Sequence, residues 1–211
     1  MKFKTQPHRQ GDIILNEQNY SGLYQEVKDA ISSISDMDII KRQNEKYPKK
    51  MSLSHAINDL LRDRLETKGW VKESPIFQQD GYMTDKKWRL DFAKDSISIE
   101  VGFNHGEAIA WNLLKPVLAS ELNHVQKAIQ TRVGILICAT KSLKEAGGFD
   151  GAVGEFEKIC RYLIPLNNIL SVPMVIIGLE APEIFKISKE KVNGKNIGEI
   201  VMYQNGDFNH I

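Results

Sequence analysis

The sequence predicts an α/β fold in three layers, a mixed β-sheet flanked by helices, with a peripheral hairpin near its C-terminal end. Three observations carry that class. Residues 96–103 alternate strictly, with Ile97, Ile99, Val101 and Phe103 on one side and Ser96, Ser98, Glu100 and Gly102 on the other, which is the period of a strand. Residues 133–139 and 172–179 are short apolar runs, the mark of strands buried on both faces of a sheet. Helical patterns precede and separate these runs, and a chain that moves from hairpin-like strands to strands separated by helices builds a sheet of mixed direction.

The elements follow in order. Residues 1–18 are polar and read as an irregular arm or a short strand. From Tyr20 to Ile34, Leu23, Val27, Ile31 and Ile34 recur at helical spacing, an amphipathic helix. Residues 36–51 read as a charged connection carrying Lys41, Arg42, Lys46, Lys49 and Lys50. Ser52 has the chemistry of an N-cap for a helix with Leu53, Ala56, Ile57, Leu60, Leu61 and Leu65, which Gly69 ends. A polar stretch, 71–86, leads to two strands around Asp91 and Glu100. Asn104 to Glu107 is a loop and helix start, and Ala108 to Thr131 reads as one long helix interrupted at Pro116. Its second half rests on Leu118, Leu122, Val125 and Ile129. A glycine-rich loop at 147–154 precedes a helix at about 155–164, and Ile184 to Tyr203 forms a hairpin around Asn193-Gly194, a turn signal. The whole is one domain, 1–211, with its core at about 52–180, an N-terminal arm and helix at 1–51, and a peripheral tail at 181–211.

Hydrophobic residues at 42%, charged residues at 26% and a net charge of +1 describe an ordinary globular protein. Near-neutral charge does not exclude a nucleic-acid partner, because cations are needed only where phosphates lie. The two cysteines, Cys138 and Cys160, suit a reduced core and a cytoplasmic location. Met1-Lys2-Phe3-Lys4 opens a polar segment without a signal-peptide pattern, and no apolar run reaches the length of a membrane span. There is no Cys/His zinc spacing, P-loop or Gly-x-Ser-x-Gly motif, so the chemistries those motifs carry are not indicated.

The candidate chemistry lies in Asp91 and Glu100. A Glu on the polar face of an apolar strand, with an Asp brought beside it by the turn, can hold a hard divalent cation. Phosphodiester hydrolysis uses such a cation to neutralise the phosphate and lower the pKa of a water. The competing reading is a surface hairpin with solvated acids, against which stand the alternation around Glu100 and the buried strand at 133–139.

The helix Asn58-Asp59-Leu60-Leu61-Arg62-Asp63-Arg64-Leu65, its end Lys68-Gly69-Trp70, the pairs Asp91-Phe92 and Ile99-Glu100-Val101, and Val172-Pro173-Met174-Val175-Ile176-Ile177-Gly178 together resemble the PD-(D/E)XK nuclease core. More narrowly they resemble the BglII/BstYI type II restriction endonucleases, with BamHI a more distant relative. The resemblance covers roughly 52–180. It implies a restriction-endonuclease-like fold, metal binding by Asp91 and Glu100, and an assisting residue at Glu73, three positions after Trp70. It also implies cleavage of double-stranded DNA at a short palindromic site by a homodimer, with Mg²⁺ (Mn²⁺ substituting) and a metal-activated water. The long helix from about 107 to 131 would serve assembly, and a cognate DNA methyltransferase would protect the host site.

Asn104, His105 and Glu107, just past the second acidic strand, fall where the related enzymes contact bases. Asp150 lies in the other candidate loop. Asn pairs with adenine and a carboxylate accepts from cytosine N4, although Asn104 could also cap a helix and Glu107 oppose its dipole. Arg132, Lys141, Lys144 and the cluster at 41–50 are candidate phosphate contacts. One position departs from the resemblance. Gly102 stands two after Glu100, where the family carries a side chain that hydrogen-bonds or activates the attacking water. Either a neighbour such as Glu73, His105 or Lys115, or the metal alone, does that work, or the protein binds DNA without cutting it.

Overall fold

The computed structural model describes residues 1–121, 124–192 and 194–204. The apolar runs behave as their composition requires. Strands β1 (Phe3–His8), β2 (Val71–Pro75), β3 (Arg89–Lys94), β4 (Ile97–Gly102), β5 (Val133–Ala139) and β6 (Met174–Leu179) form one sheet in the order β1-β6-β5-β4-β3-β2. The three central strands β4, β5 and β6 run parallel, and β1, β3 and β2 add antiparallel strands outside them.

Helices cover both faces. On one, Ile97, Ile99, Ile135, Ile137, Val175 and Ile177 pack into a core with Val27 and Ile31 of α2 (Ser21–Ser32) and Ile57 and Leu61 of α4 (Ser54–Thr67). On the other, Leu136, Cys138 and Ile176 meet Leu113 of α5 (Ile109–Ser120) and Ile159 and Leu163 of α7 (Phe156–Leu163). Each fully buried aliphatic contributes about 1.5–3 kcal/mol, so the sheet is held mainly from these two layers. The three-layer class expected from the sequence is the one observed. The hairpin β7 (Phe185–Val192) and β8 (Lys195–Met202) forms a separate two-stranded sheet, and its Phe185 and Ile187 join the first core. Among the described residues no helix is long and apolar enough to cross a membrane.

Several expectations are corrected. The charged connection at 36–51 contains a helix, α3 (Asp36–Lys46), opened by a capping box in which Ser35 accepts from Asp38 N–H and Asp38 accepts from Ser35 N–H. That signature was present in the sequence but is masked by the lysines that follow. Two of those cations are already engaged: Arg42 reaches Asp59 at 2.5 Å and Asp63 at 2.7 Å, and Lys46 reaches Asp59 at 3.0 Å, tying α3 to α4. Lys144, on the short helix α6 (Lys141–Ala146), is likewise paired with Glu155 at 2.7 Å. The 1–51 segment is part of the core, since Leu15, Ile34 and Ile39 are fully buried in it and β1 closes one edge of the sheet. Between β1 and α2 lies the short helix α1 (Gly11–Leu15). The start of the polar stretch at 71–86 is strand β2, whose outer face is exposed. Ser52 does not cap α4; Leu53 holds that position, and the Ser52 hydroxyl meets that of Ser54 at 2.9 Å.

The largest correction is the long helix. It ends at Ser120, and 124–131 carries no helix, its residues alternating between exposed and covered. Lys127 bridges to Phe77, and Val125 and Ile129 pack against the cluster of Ile76, Phe77 and Leu90. Apolar residues four apart satisfy a helix, but four is also even, so the same spacing satisfies a period of two. Leu122, one of the residues on which that helix rested, and Asn193 of the hairpin turn lie outside the described residues.

Pro116, inside α5, stacks on the sheet at Gly134. A Cβ built there would lie 2.7 Å from Pro116 Cβ and 2.9 Å from Met174 Cγ, so the absent side chain lets α5 approach β5. Gly134→Ala is expected to lower stability by about 1–3 kcal/mol, the cost of overpacking, read as a fall of several degrees in Tm. An unchanged melting curve would show that α5 does not depend on this approach.

Candidate active site

The site forms where the β3–β4 ladder stops. Phe92 pairs with Ile99, Ala93 with Ser98 and Lys94 with Ile97. At the next rung the carboxylates replace the backbone partners. Asp91 N–H donates to Glu100 Oε1 at 3.3 Å, and Val101 N–H donates to Asp91 Oδ2 at 2.6 Å. The strands splay, and the two acids sit in the fork, each holding the backbone of the other's strand. Strand alternation places Glu100 on the α5 face, opposite Ile99 and Val101, as the sequence period requires.

Glu100 is 1% exposed. Its Oε2 accepts from Lys115 Nζ at 2.5 Å, a lysine of α5 that is itself buried. Burial pushes the Glu100 carboxyl well above the usual range, the charge of Asp91 adds to that, and Lys115 opposes it. Burial also raises Asp91, with Glu73 adding, while the Val101 N–H, Lys115 and Arg62 pull it down. Two neighbouring carboxylates that each resist ionisation in a recessed position mark a candidate functional site.

Glu73 lies on β2 between Lys72, which faces Phe92, and Ser74, which faces Leu90, so it stands across from Asp91. It is exposed, and its backbone has φ 49°, a left-handed conformation that costs a non-glycine residue about 1–2 kcal/mol. An open recess of about 370 Å³ gathers Glu73 and Asp91 with Asn58 and Arg62 of α4, Lys72 and Val101. The structure thus places Glu73 and Asp91 in one recess, while Glu100, joined to the Asp91 N–H, is buried and does not line it. Among the described residues no group of three or more His, Cys, Asp or Glu side chains converges as a metal cage. Magnesium characteristically binds through one or two carboxylates and completes its shell with waters and phosphate, and the Asp91–Glu100 pair fits that donor set.

The sequence-predicted reading loops also converge. Asn104, His105, Glu107 and Asp150 line a second open recess of about 520 Å³, with Phe103 and Phe149 beneath them. The loops are zipped together by a His105–Val153 bridge, by Gly106 N–H donating to Ala152 O at 2.7 Å, and by Gly154 N–H donating to Asn104 O at 3.1 Å. Asn104, His105, Glu107 and Asp150 are exposed. Asn104 does not cap α5: a single turn of 3₁₀ helix at Gly106–Ala108 intervenes, and Ala108 holds the N-cap position without a side-chain bond. The Asp150 carboxylate accepts from Ala152 N–H at 2.8 Å and so shapes its own loop.

Sequence reading missed Asn58 and Arg62 on the recess wall and Asn112 on α5, and it named Lys115 only as one of several neighbours. A signal existed for the last two. A lysine and an asparagine three apart in an otherwise apolar helix are neighbours on its surface, and both are buried here.

Residues 3–179 match the family model described as restriction endonuclease BglII/BglIII. The chain belongs to this family. The match reaches the N-terminal strand, well beyond the 52–180 segment in which the resemblance was legible. Among solved structures, BglII complexed with a DNA 16-mer is similar at a TM-score of 0.66 and 19% identity, covering 96% of this chain and 100% of that one. Free BglII is similar at 0.58 and 20%, with the same coverage. At that identity the likeness bears on the fold. No curated protein matches this chain.

The raised carboxyls fix a pH dependence. An acid raised by folding holds its proton more tightly in the native state, so wild-type stability without divalent ions should fall as pH rises from the unfolded-state carboxylate range through the raised native values. Asp91→Asn keeps an acceptor for Val101 N–H and removes one charge, so in chelator at neutral pH it should melt at or slightly above the wild-type temperature and lose any rise in Tm on adding Mg²⁺. Thermal melts with and without Mg²⁺ check this; a variant several degrees less stable in chelator would contradict the repulsion.

Proposed function

We propose that this chain is a homodimeric, Mg²⁺-dependent type II restriction endonuclease that hydrolyses double-stranded DNA at a short palindromic site. The observation that carries this reading is the splayed β3–β4 fork with Asp91 and Glu100 in it, in a chain of the BglII/BglIII family. Asp91 and Glu100 would hold the cation, for which Mn²⁺ is the natural substitute. When bound, a divalent cation neutralises the phosphate and lowers the pKa of a water.

The chain's own groups do the remainder. Glu73, across from Asp91, assists at the recess mouth, where its carboxylate can accept a hydrogen bond from the attacking water. The water oxygen bonds to phosphorus as the phosphorus–oxygen bond to the leaving nucleotide breaks. The water's proton passes to Glu73 and on to solvent, and the leaving oxygen takes one from solvent. Arg62 and Asn58 line the wall that the phosphate backbone would follow. The recess of Asn104, His105, Glu107 and Asp150, just beyond the strand that carries Glu100, would read base edges in the major groove.

The similar BglII structure in complex with DNA supports duplex DNA as the partner. A palindromic site presents two equivalent strands, which a twofold dimer cuts with two copies of one site. With α5 ending at Ser120, a dimer interface cannot rest on an uninterrupted helix to 131. A cell that keeps such an enzyme needs a methyltransferase that modifies the same sequence.

Gly102 favours one second reading, a catalytically silent DNA-binding protein on the same fold. Digestion of a sequenced plasmid with Mg²⁺ decides between them. The nuclease reading expects discrete fragments with one mapped end sequence, abolished in Glu100→Ala and reduced about 10²-fold or more in Glu73→Ala, a scale typical of a lost catalytic proton acceptor. Specific duplex binding without cleavage under Mg²⁺ and Mn²⁺ would establish the silent reading.

A further inference from the structure

Gly102 leaves a gap in the polar face of β4, and the structure shows what fills it. A Cβ built on Gly102 would lie 3.0 Å from Asn112 Nδ2 and 3.3 Å from Leu136 Cδ1. The space a side chain would take is therefore already held by a polar group from α5. One helical step further along, Lys115 Nζ reaches Glu100 Oε2 at 2.5 Å. Asn112 and Lys115 are both only 8% exposed, and the Asn112 amide has no hydrogen-bond partner among the described residues. Burying a lysine beside a carboxylate is costly unless its donors are used.

The ammonium has three donors in all, of which Glu100 takes one. The helix is set to deliver them, because Gly134 admits Pro116 against the sheet, and Pro116 is the residue next to Lys115.

We propose that Lys115 and Asn112 of α5 supply, from the opposite side of the fork, the hydrogen-bond donors that position 102 lacks. Lys115 Nζ donates to a non-bridging oxygen of the scissile phosphate, where charge grows as the water adds. The Asn112 amide donates to the attacking water. Lys115 acts only as a donor and moves no proton. A cationic donor on a helix replaces a side chain on the strand. This rests on the nuclease reading above, and it places the determinant of activity in α5 instead of β4.

The test compares wild type, Lys115→Gln, Asn112→Ala and an exchange variant, Gly102→Lys combined with Lys115→Met and Asn112→Ala. The exchange variant returns the cation to the strand and opens the room its Cβ needs. Each is assayed by thermal melting, by Mn²⁺ binding, by affinity for the cleaved duplex in Ca²⁺, and by single-turnover cleavage at saturating Mg²⁺. The proposal expects Lys115→Gln to bind duplex and Mn²⁺ within a few-fold of wild type yet cleave about 10²–10³-fold more slowly, the loss typical of one preorganised donor at a charged transition state. Asn112→Ala should be slower by a smaller factor, and the exchange variant should recover at least tenfold over Lys115→Gln.

A purely structural counter-ion for Glu100 would give the opposite pattern. Lys115→Gln would then melt lower and cut at the wild-type rate below its melting temperature, which overturns the proposal while the nuclease reading stands. If Lys115→Gln does not fold, the exchange variant decides alone: cleavage within tenfold of wild type supports the proposal, and a folded, DNA-binding variant that does not cut overturns it. Failure of the wild type itself to cut any duplex with Mg²⁺ or Mn²⁺ overturns both.

Discussion

Glu100 is held through both of its carboxylate oxygens and through its strand neighbour, and the candidate site is organised around that hold. Its Oε1 accepts from Asp91 N–H, its Oε2 accepts from Lys115 Nζ, and its strand neighbour Val101 donates to Asp91. A buried carboxylate with no partners would be untenable. Here each partner also fixes another element: Asp91 pins β3, Lys115 pins α5, and the Val101 bond keeps the fork from closing into ordinary ladder. The structure accepts two raised carboxyls side by side, a local conflict of the kind that proteins concentrate where they do chemistry.

That hold depends on packing far from it. The parallel strands β4, β5 and β6 are covered on both faces, so their apolar runs fix where β4 lies and which face Glu100 must take. Gly134 and Pro116 set the distance of α5, and hence the reach of Lys115. The loops proposed to read base edges begin at the end of the same strand, with Asn104 only four residues past Glu100. The recess proposed to read base edges and the fork proposed to cut are thereby joined through a short length of backbone.

Much of this was legible in the sequence, and the parts that were not share a physical reason. Residues 133–139 and 172–179 declare themselves because a strand buried on both sides must be apolar throughout. Residues 97–103 do so because a strand between a core and a polar site must alternate. The orientation of Glu100 followed from that period alone. Edge and pairing elements carry no such requirement: β2 shows only Ser74 fully covered, and its strand character comes from β3 beside it. The segment 124–131 was misread because its apolar spacing fits both periods, and the choice was made by Ile76 and Phe77 packing against it. Glu73 was named through a family pattern and Asp91 through its spacing from Glu100, whereas the pairing of Lys115 with Glu100 is a contact between a helix and a strand that no local pattern encodes.

The claim that the fork is a cation site is tested most directly by crystals grown or soaked with Mn²⁺, with duplex DNA present, and data collected at the manganese edge. The account predicts an anomalous peak between the carboxylates of Asp91 and Glu100, lost in Asp91→Asn. Manganese density absent from the fork while the duplex is bound, or present only at other carboxylates, would contradict it.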